Sequence, residues 1–316
     1  MVRTPTTFIV GAGGSRPYGL PLGSGLLSEA QAVNRESDVY ALLREIGIQP
    51  GELTDFLHRI RQHPSRSIDA FLEKHHTNES IMKVGRAMIA ALMAQAIARL
   101  KKVKPAEDWL GEIIEHMGRG ARDRAQFEDV NASVRFVTFN FDSIIEDRLE
   151  RDAGNMFESR PGEAIRPITD VVKVVHVHGR LPPPPVVRNQ AEGKIFLESR
   201  YGSIAPEWIN WLKSAASNVN VVIDPIDDQP VVAKAREYIA AAKVVCFLGF
   251  SYHSDNLLRL EVRKTIKEAP DQDVFGSAKD EPEGRRDWIE ARIPIRLSAS
   301  GDDCLKTLTR FNVFVD

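Results

Sequence analysis

Two histidines near the middle of the chain have a spacing that suits either metal binding or proton transfer. Residues 171–179 read VVKVVHVHG, so His176 and His178 alternate along an apolar run and share one face of the predicted strand. Two histidines on one face can bind a metal, but this stretch holds no carboxylate or cysteine to complete the site. A single histidine can instead accept a proton, because the ordinary pKa of its ring is about 6.5. The lack of a further ligand in this stretch disfavours a metal site.

An asparagine and an aspartate follow another apolar run. Residues 134–142 read VRFVTFNFD, which predicts a strand that ends near Asn140, with Asp142 two residues further on. Polar residues at the carboxyl end of a parallel strand lie in the crevice where α/β proteins bind ligands. The alternative is that they cap a helix beginning near Phe141, which accounts for one of the two residues better than for both.

A glycine-rich turn follows the first apolar run, in the sequence FIVGAGGSRPYGLPLG of residues 8–23. Gly11, Gly13 and Gly14 let the backbone come close to a ligand, and the amides of a following helix favour an anion such as a phosphate. A tight turn without a ligand is the structural alternative. Arg16 replaces the third glycine of the dinucleotide-binding motif GxGxxG, and no GK[ST] follows, which disfavours standard dehydrogenases and P-loop enzymes.

The elements that carry these motifs alternate between strands and helices, which predicts an α/β fold with a Rossmann-like parallel sheet and helices on both faces. The predicted strands are Thr7–Val10, Val134–Phe139, Val171–Val177, Val244–Gly249, Asp271–Phe275 and Ile293–Leu297. The predicted helices that follow the second strand are Phe141–Arg151, Tyr201–Ala216, Val231–Ala242, Asn256–Lys267 and Asp303–Arg310. We expect an extended connector at Pro182–Pro185 and a loop over Gln272–Asp287.

The segment between the first two strands is almost wholly helical. Apolar residues recur there at three- and four-residue spacing, as at Leu53, Phe56 and Leu57. We predict one domain, in which an α-helical subdomain of residues 25–127 is inserted into a core of residues 1–24 and 128–316. Its predicted helices are Leu26–Val33, Ser37–Ile46, Leu53–Gln62, Ile68–Lys74, Ile81–Lys101 and Trp109–Met117.

The composition excludes several classes of protein. The 316 residues include 42 basic and 44 acidic side chains, so no basic excess indicates nucleic-acid binding. Cys246 and Cys304 are too few for a four-cysteine zinc site or a disulfide scaffold. The apolar helix near residues 81–100 carries charged and amide side chains, which argues against a membrane span, and no signal pattern precedes the first strand. We expect a soluble, cytoplasmic protein.

Four stretches, in order along residues 8–256, resemble motifs of the sirtuin superfamily. The first, GAGGS followed by Gly19-Leu20-Pro21, is similar to the sirtuin motif Gly-Ala-Gly-x-Ser with Gly-Ile-Pro. Residues 138–142, TFNFD, match the Thr-x-Asn-Tyr/Phe-Asp form of the sirtuin-like NADases of bacterial immunity. His178-Gly179 matches the sirtuin His-Gly, and Gly249-Phe250-Ser251 with Asp255 matches the last motif of the immune relatives.

Two departures bear on the activity that this resemblance implies. The chain cannot build the zinc module of the protein-deacylating sirtuins, and it has Leu22-Gly23-Ser24 where they have Asp-Phe-Arg. The resemblance therefore implies a zinc-free NADase of antiphage defence, which cleaves the nicotinamide–ribose bond of its substrate NAD to nicotinamide and ADP-ribose. Hydrolysis and cyclisation of the ADP-ribose both stay open.

The resemblance also implies the roles of individual residues. Asn140, which would orient a water and the ribose hydroxyls, and His178, which would accept a proton, are the implied catalytic residues. Asp142 would hold the carboxamide, and amides near Gly13 and Ser15 the phosphates. The implied NAD-binding residues are Gly11, Ala12, Gly13, Ser15, Asp142, Gly249, Ser251 and Asp255. No metal ligand is implied.

Other functions remain open. A catalytically silent subunit that binds NAD or ADP-ribose is the main alternative, and a base-excision or nucleoside hydrolase on a similar sheet is a more distant one. Because the predicted elements occupy most of the chain, we expect control by self-assembly into a homo-oligomer, with a ring-forming ATPase or an Argonaute-like protein as candidate partner. The predicted contact surface is the insertion, where residues 81–100 offer an apolar face. The alternative is that these helices pack only on each other.

Overall fold

The computed structural model describes residues 2–65, 67–98, 104–157, 166–183, 185, 206–219, 230–266 and 272–314. Six strands form one sheet at its centre. They are β1 (Thr6–Val10), β2 (Val134–Thr138), β3 (Lys173–His176), β4 (Val244–Leu248), β5 (Asp273–Gly276) and β6 (Arg296–Leu297). The first five correspond to predicted strands with shifted ends, and β6 covers only the end of its predicted segment.

The strand order is β3-β2-β1-β4-β5-β6, and every neighbouring pair is parallel. This is the order of the dinucleotide-binding doubly wound sheet. The chain leaves β1 toward β2 on one side and later returns to β4 on the other, so the topological switch point lies between β1 and β4. The predicted Rossmann-like parallel sheet is confirmed.

Both faces of the sheet are covered, which explains why its strands read as continuous apolar runs. In β1, Phe8 and Val10 contribute to one core, and Ile9 contributes to the other. The first core also contains the apolar residues of the helices between β1 and β2. The second core is closed by helices that follow residue 230.

The helices have the following bounds. Between β1 and β2 they are α1 (Ala12–Ser15), α2 (Gly23–Ala32), α3 (Asp38–Glu45), α4 (Pro50–Gln62), α5 (Ile68–Lys74), α6 (Glu79–Ala98), α7 (Trp109–Gly118) and α8 (Arg124–Asn131). After β2 they are α9 (Ile144–Arg148), α10 (Pro206–Asn218), α11 (Pro230–Ala241), α12 (Ser254–Arg259), α13 (Val262–Thr265), α14 (Glu283–Glu290) and α15 (Cys304–Phe311). Several begin at Ser or Asp side chains that accept a backbone N–H of the first turn, namely Ser37, Ser67, Asp108, Asp123 and Asp303.

Helix α6 is the centre of the helical layer. It contacts α2, α3, α4 and α5, and α10 packs along it from a part of the chain outside the predicted insertion. Residues Glu79–Ile97 pass a length and composition test for a membrane span, but 67% of that window is buried inside the protein. The described part of α6 is thus largely covered by helices of the same chain, as in the alternative that these helices pack on each other, and the contact surface for a neighbouring protein stays a prediction. The boundaries of the insertion stay a prediction.

Some other predicted elements differ from the structure. The predicted helix Asn256–Lys267 is divided into α12 and α13, because Glu261 has a φ of 44°. The predicted loop over Gln272–Asp287 contains β5 and the start of α14, a polar helix with a single buried residue and hence little apolar periodicity. Residues 99–101, 184, 201–205, 267 and 271, at the ends of or within predicted elements, lie outside the described residues.

Candidate active site

A cavity of about 860 Å³ opens at the carboxyl ends of the strands, beside the switch point between β1 and β4. Turns that follow β1, β2, β3, β4 and β5 line it, together with residues of the helical layer. The predicted site residues around it are Gly11, Ala12, Gly13, Ser15, Asn140, Asp142, His178, Gly249 and Ser251. Asp255 lies exposed in the first turn of α12 and is not among the described residues that line the cavity.

The glycines allow two turns to touch, backbone against backbone. Gly249 has a φ of 59°, and a Cβ added there would lie 2.0 Å from the amide nitrogen of Gly14. A Cβ on Gly11 or Gly13 would lie 2.6 or 2.8 Å from the carbonyl oxygen of Gly249. The structural alternative, a turn that needs glycine for packing, thus accounts for these positions without a ligand.

The amides of this turn are largely used within the protein. Gly13 N donates to Gly249 O over 2.9 Å, Gly11 N to Leu248 O over 3.0 Å, and Gly14 N to Gly11 O over 2.9 Å. Helix α1 is a single turn of four residues, so it offers little of a helix dipole. The Gly13 amide that we expected to bind a phosphate is therefore already bonded to Gly249.

The helical layer holds the glycine turn in place. Trp109 in α7 donates its indole N–H to Gly14 O over 2.8 Å. Asp108 accepts from the Tyr18 hydroxyl over 3.0 Å and from the guanidinium of Arg148 over 2.8 and 3.0 Å. These bonds join the turn after β1 to α7 and α9.

A hydrogen-bonded network joins Ser15, Asn140 and Asp142, which we call the bonded group. Asn140 Nδ2 donates to Ser15 Oγ over 2.8 Å and to Gly11 O over 3.0 Å. Ser15 Oγ donates to Asp142 Oδ2 over 2.8 Å, and Asp142 Oδ1 accepts from the Ile144 amide over 3.1 Å. Asp142 thus both caps α9 and lines the cavity. Burial raises its pKa, although the bonds from Ser15 and Ile144 oppose this.

His176 lies behind the bonded group. Its Nδ1 bonds to the carbonyl oxygen of Asn140 over 2.9 Å and its Nε2 to Glu146 Oε1 over 2.8 Å, so neither ring nitrogen remains for a metal. Arg180 lies 3.2 Å from the same carboxylate oxygen. Burial raises the pKa of Glu146, but His176 and Arg180 outweigh it and lower that pKa overall. Among the residues that the structure describes, no three His, Cys, Asp or Glu side chains come together to hold a metal.

His178 is the buried imidazole of the cavity. Its ring lies edge-on to Phe139, with 5.1 Å between the centroids, and 6.2 Å from Phe141. Its Nε2 atom is buried and has no hydrogen-bond partner among the described residues. Burial, helped by the positive charge of Arg259, lowers its pKa to about 3, so the ring is neutral at physiological pH.

Asp69 is a cavity residue that the sequence did not indicate. It lies in the first turn of α5, where its sequence context is that of an ordinary helix-start carboxylate. Its Oδ1 atom is buried and has no hydrogen-bond partner within the described ranges. Burial raises its pKa to about 6, and a hydrogen bond from its own backbone amide and the charge of Arg259 offset part of that rise. We call Asp69 and His178 the open group.

Two basic side chains at the cavity belong to none of the binding residues that the sequence motifs indicate. Arg16 directly follows the glycine turn, and Lys279 follows β5; both are exposed and line the cavity. Arg16 was identified only as the residue that breaks GxGxxG. A basic residue next to a glycine turn was the available signal for it, and nothing comparable marks Lys279.

The sheet order and the crevice at its switch point define a doubly wound α/β protein of the dinucleotide-binding type. No protein-family model matches the chain, and no curated protein matches it. Among solved structures, this chain is similar to a mutant of a Sir2 homologue in complex with 2'-O-acetyl ADP ribose. The alignment covers 97% of this chain and 90% of the Sir2 homologue chain. The two chains are 16% identical, and the TM-score is 0.39.

Proposed function

We propose that the chain is an NAD hydrolase that cleaves the nicotinamide–ribose bond and releases nicotinamide and ADP-ribose. The observation that carries the proposal is His178, a neutral buried imidazole whose Nε2 has no partner among the described residues, in a cavity at the switch point of a dinucleotide-type sheet. Asn140 and Asp142, which the motif comparison pairs with it, line the same cavity.

The chemistry needs an oriented water and a proton acceptor. A water oxygen attacks C1' of the ribose as the C1'–N bond breaks, and the electron pair of that bond neutralises the pyridinium ring. The water loses its proton to Nε2 of His178, which passes it to solvent. Both N–H groups of the Asn140 amide are used within the protein, so Asn140 orients a water or a ribose hydroxyl through its side-chain oxygen, as an acceptor.

The positive charges for the pyrophosphate are those of Arg16 and Lys279. The amides of Gly11, Gly13 and Gly14 already bond to protein carbonyls, whereas these two side chains are exposed at the cavity. A charged donor forms a stronger bond to a phosphate oxygen than a neutral amide does. The glycines then serve chiefly to let the two turns approach, and the cations bind the anion.

A silent binding subunit is the second candidate, because of one observation. A ring whose pKa is about 3 is a weak base and takes a proton readily only if the bound substrate changes its surroundings. Such a subunit would bind NAD or ADP-ribose in the same cavity and would release no nicotinamide.

The test is incubation with NAD, alone and with the products of neighbouring genes, followed by chromatography for nicotinamide and mass spectrometry for ADP-ribose and its cyclic form. We expect nicotinamide release that is lost in Asn140→Ala and in His178→Ala. Calorimetric binding of ADP-ribose without any release would favour the silent subunit. Neither binding nor release would contradict both candidates.

In the cell we propose the role of a zinc-free, sirtuin-like NADase of antiphage defence that acts in the cytoplasm by NAD depletion. The motif resemblance supports this role. We further propose a homo-oligomer, with a ring-forming ATPase or an Argonaute-like protein as candidate partner, and its contact surface is not the buried face of α6. Light scattering of size fractions that are also assayed for NAD cleavage tests it. A monomer that cleaves at full rate without a partner would contradict it.

A further inference from the structure

We propose that Asp69, which α5 contributes to the cavity, determines substrate specificity by accepting a hydrogen bond from an N–H or O–H group at the nicotinamide riboside end of the substrate. This inference rests on the proposed function and extends it, because it makes the helical layer part of the site. No motif of the chain assigns a role to Asp69.

The position of Asp69 is firmly held. Ser67 caps α5 by accepting the Ala70 amide over 3.2 Å, and Ile68, Phe71 and Leu72 are fully buried in the helical core. Because these neighbouring residues hold α5 in place, the Asp69 side chain lines the cavity without any rearrangement of the helix. That is the arrangement expected of a preorganised binding residue.

The carboxyl group of Asp69 is short of hydrogen-bond donors. Its Oδ1 is buried without a partner in the described part of the chain, whereas Asp142 in the same cavity has a donor on each oxygen. A buried carboxylate that lacks donors lowers the stability of the folded protein. Such a group is expected where it serves to bind a ligand. Contacts at the start of α5 do not account for Oδ1, because Ser67 caps the helix and the bond from the backbone amide of Asp69 to its own carboxyl leaves Oδ1 without a partner among the described residues.

The charge of Arg259 indicates which end of the cavity Asp69 serves. Arg259 is buried, and it lowers the pKa of both His178 and Asp69, so one guanidinium acts on both members of the open group. Because one buried guanidinium acts on both residues, we assign Asp69 to the His178 end of the cavity that both line. In NAD, the donors at the reacting end are the carboxamide N–H and the ribose hydroxyls.

A carboxylate at this position also rejects a substrate. It accepts from the carboxamide of NAD, but it repels the carboxylate of the nicotinic acid analogue, deamido-NAD. If Asp69 bonds instead to a ribose hydroxyl, NAD and deamido-NAD should bind with equal affinity. The affinity for ADP-ribose, which keeps the ribose hydroxyls, should then also depend on Asp69. The two sources of the donor are thus distinguishable.

The experiment measures dissociation constants by calorimetry for NAD, deamido-NAD and ADP-ribose, in a His178→Ala background that prevents cleavage. We compare proteins that carry Asp69, Asp69→Asn or Glu73→Gln, the last an equal charge change at an exposed position of the same helix. With Asp69 we expect NAD to bind about 10- to 100-fold more tightly than deamido-NAD, and Asp69→Asn to reduce this preference to about threefold or less.

A loss of ADP-ribose affinity of about tenfold or more in Asp69→Asn, with no preference between the dinucleotides, would assign the donor to a ribose hydroxyl and would also support the proposal. Equal affinities of the Asp69 and Asp69→Asn proteins for all three ligands, with Asp69→Asn folded by its melting curve, would overturn it. The binding data do not depend on turnover. If the wild type releases no nicotinamide, the proposed hydrolysis fails while the role of Asp69 is still decided.

Discussion

The two sets of polar residues in the cavity differ in how their hydrogen bonds are satisfied. In the bonded group, Ser15, Asn140 and Asp142 bond to one another and to backbone groups of the turns after β1 and β2. In the open group, Asp69 and His178 each have a buried polar atom without a partner among the described residues. The bonds of the first group hold the two turns together, and the second group keeps buried polar atoms that a ligand can satisfy.

The pKa directions reflect the same difference. Burial raises the pKa of Asp142 against the opposing effect of two hydrogen bonds, so its carboxylate is partly compensated. Burial acts on His178 with only the charge of Arg259 beside it, and its effect on Asp69 is opposed by one hydrogen bond from the backbone amide of that residue and by Arg259. A change in the bonded group should therefore reduce stability, and at Asn140 activity as well, whereas a change in the open group should reduce function without a loss of stability.

The largest expected effect is that of His178→Ala on catalysis. Removal of the proton acceptor should reduce NAD cleavage by about 10²- to 10⁴-fold, while ADP-ribose still binds. Turnover by chromatography and ADP-ribose binding by calorimetry check this. His58→Ala, at an exposed position of α4, should cleave at the normal rate. A His178→Ala protein that retains full activity would remove His178 from the mechanism.

A large loss of stability is expected for Gly249→Ala. The new Cβ would lie 2.0 Å from a backbone nitrogen, at a φ of 59°, so the free energy of unfolding should fall by more than about 3 kcal/mol. Gly51→Ala in α4 is the control, since its added Cβ meets nothing within 4 Å and should stabilise the helix by about 0.5–1 kcal/mol. Urea denaturation measures both. Equal stabilities would contradict the close approach of the two turns.

Asp69→Asn should stabilise the protein in a pH-dependent way. The pKa of Asp69 is about 6 in the folded protein and about 3.9 in an unfolded chain, so ionisation costs the folded state energy. Above pH 6 the variant should be more stable than the wild type by about 1–3 kcal/mol, and this gain should disappear as the pH falls from about 6 to about 4. Denaturation at pH 8 and pH 4 checks the sign.

The control for that prediction is Glu73→Gln, which should show no comparable change with pH because the side chain is exposed. Arg259 is the charged group whose field acts on Asp69, and it acts on His178 as well. His178 stays neutral over this range, so it does not contribute to the difference. An Asp69→Asn protein that is less stable at pH 8 would mean that the carboxylate has a structural donor.

The smallest expected effect is that of Ser15→Ala in the bonded group. The change removes the acceptor of Asn140 and the donor of Asp142, so stability should fall by about 1–2 kcal/mol. Ser28→Ala, at an exposed serine of α2, should change it by less than about 0.5 kcal/mol. Thermal melting measures both. No difference between them would show that water replaces the Ser15 hydroxyl.

Local sequence patterns were sufficient to predict the sheet and the residues that follow its strands. Buried parallel strands are continuous apolar runs, and the polar residue after each run lies at one edge of the sheet, so Asn140, Asp142 and His178 were predictable as neighbours from local pattern alone. The glycine turn was likewise predictable from the local pattern of glycines after an apolar run. Local patterns also placed α5 at Ile68–Lys74, which the structure has with the same bounds.

Contacts between distant parts of the chain, in contrast, determine which polar atoms are already bonded and which remain for a ligand. The Gly13 amide bonds to Gly249, 236 positions away in the numbering, and Asp69 reaches the cavity because α5 packs in the helical layer. Tertiary packing also buries much of α6 against helices within the predicted insertion and against α10, which lies outside it. Hydrogen bonds and burial depend on contacts between distant segments, and a local pattern carries no information about such partners.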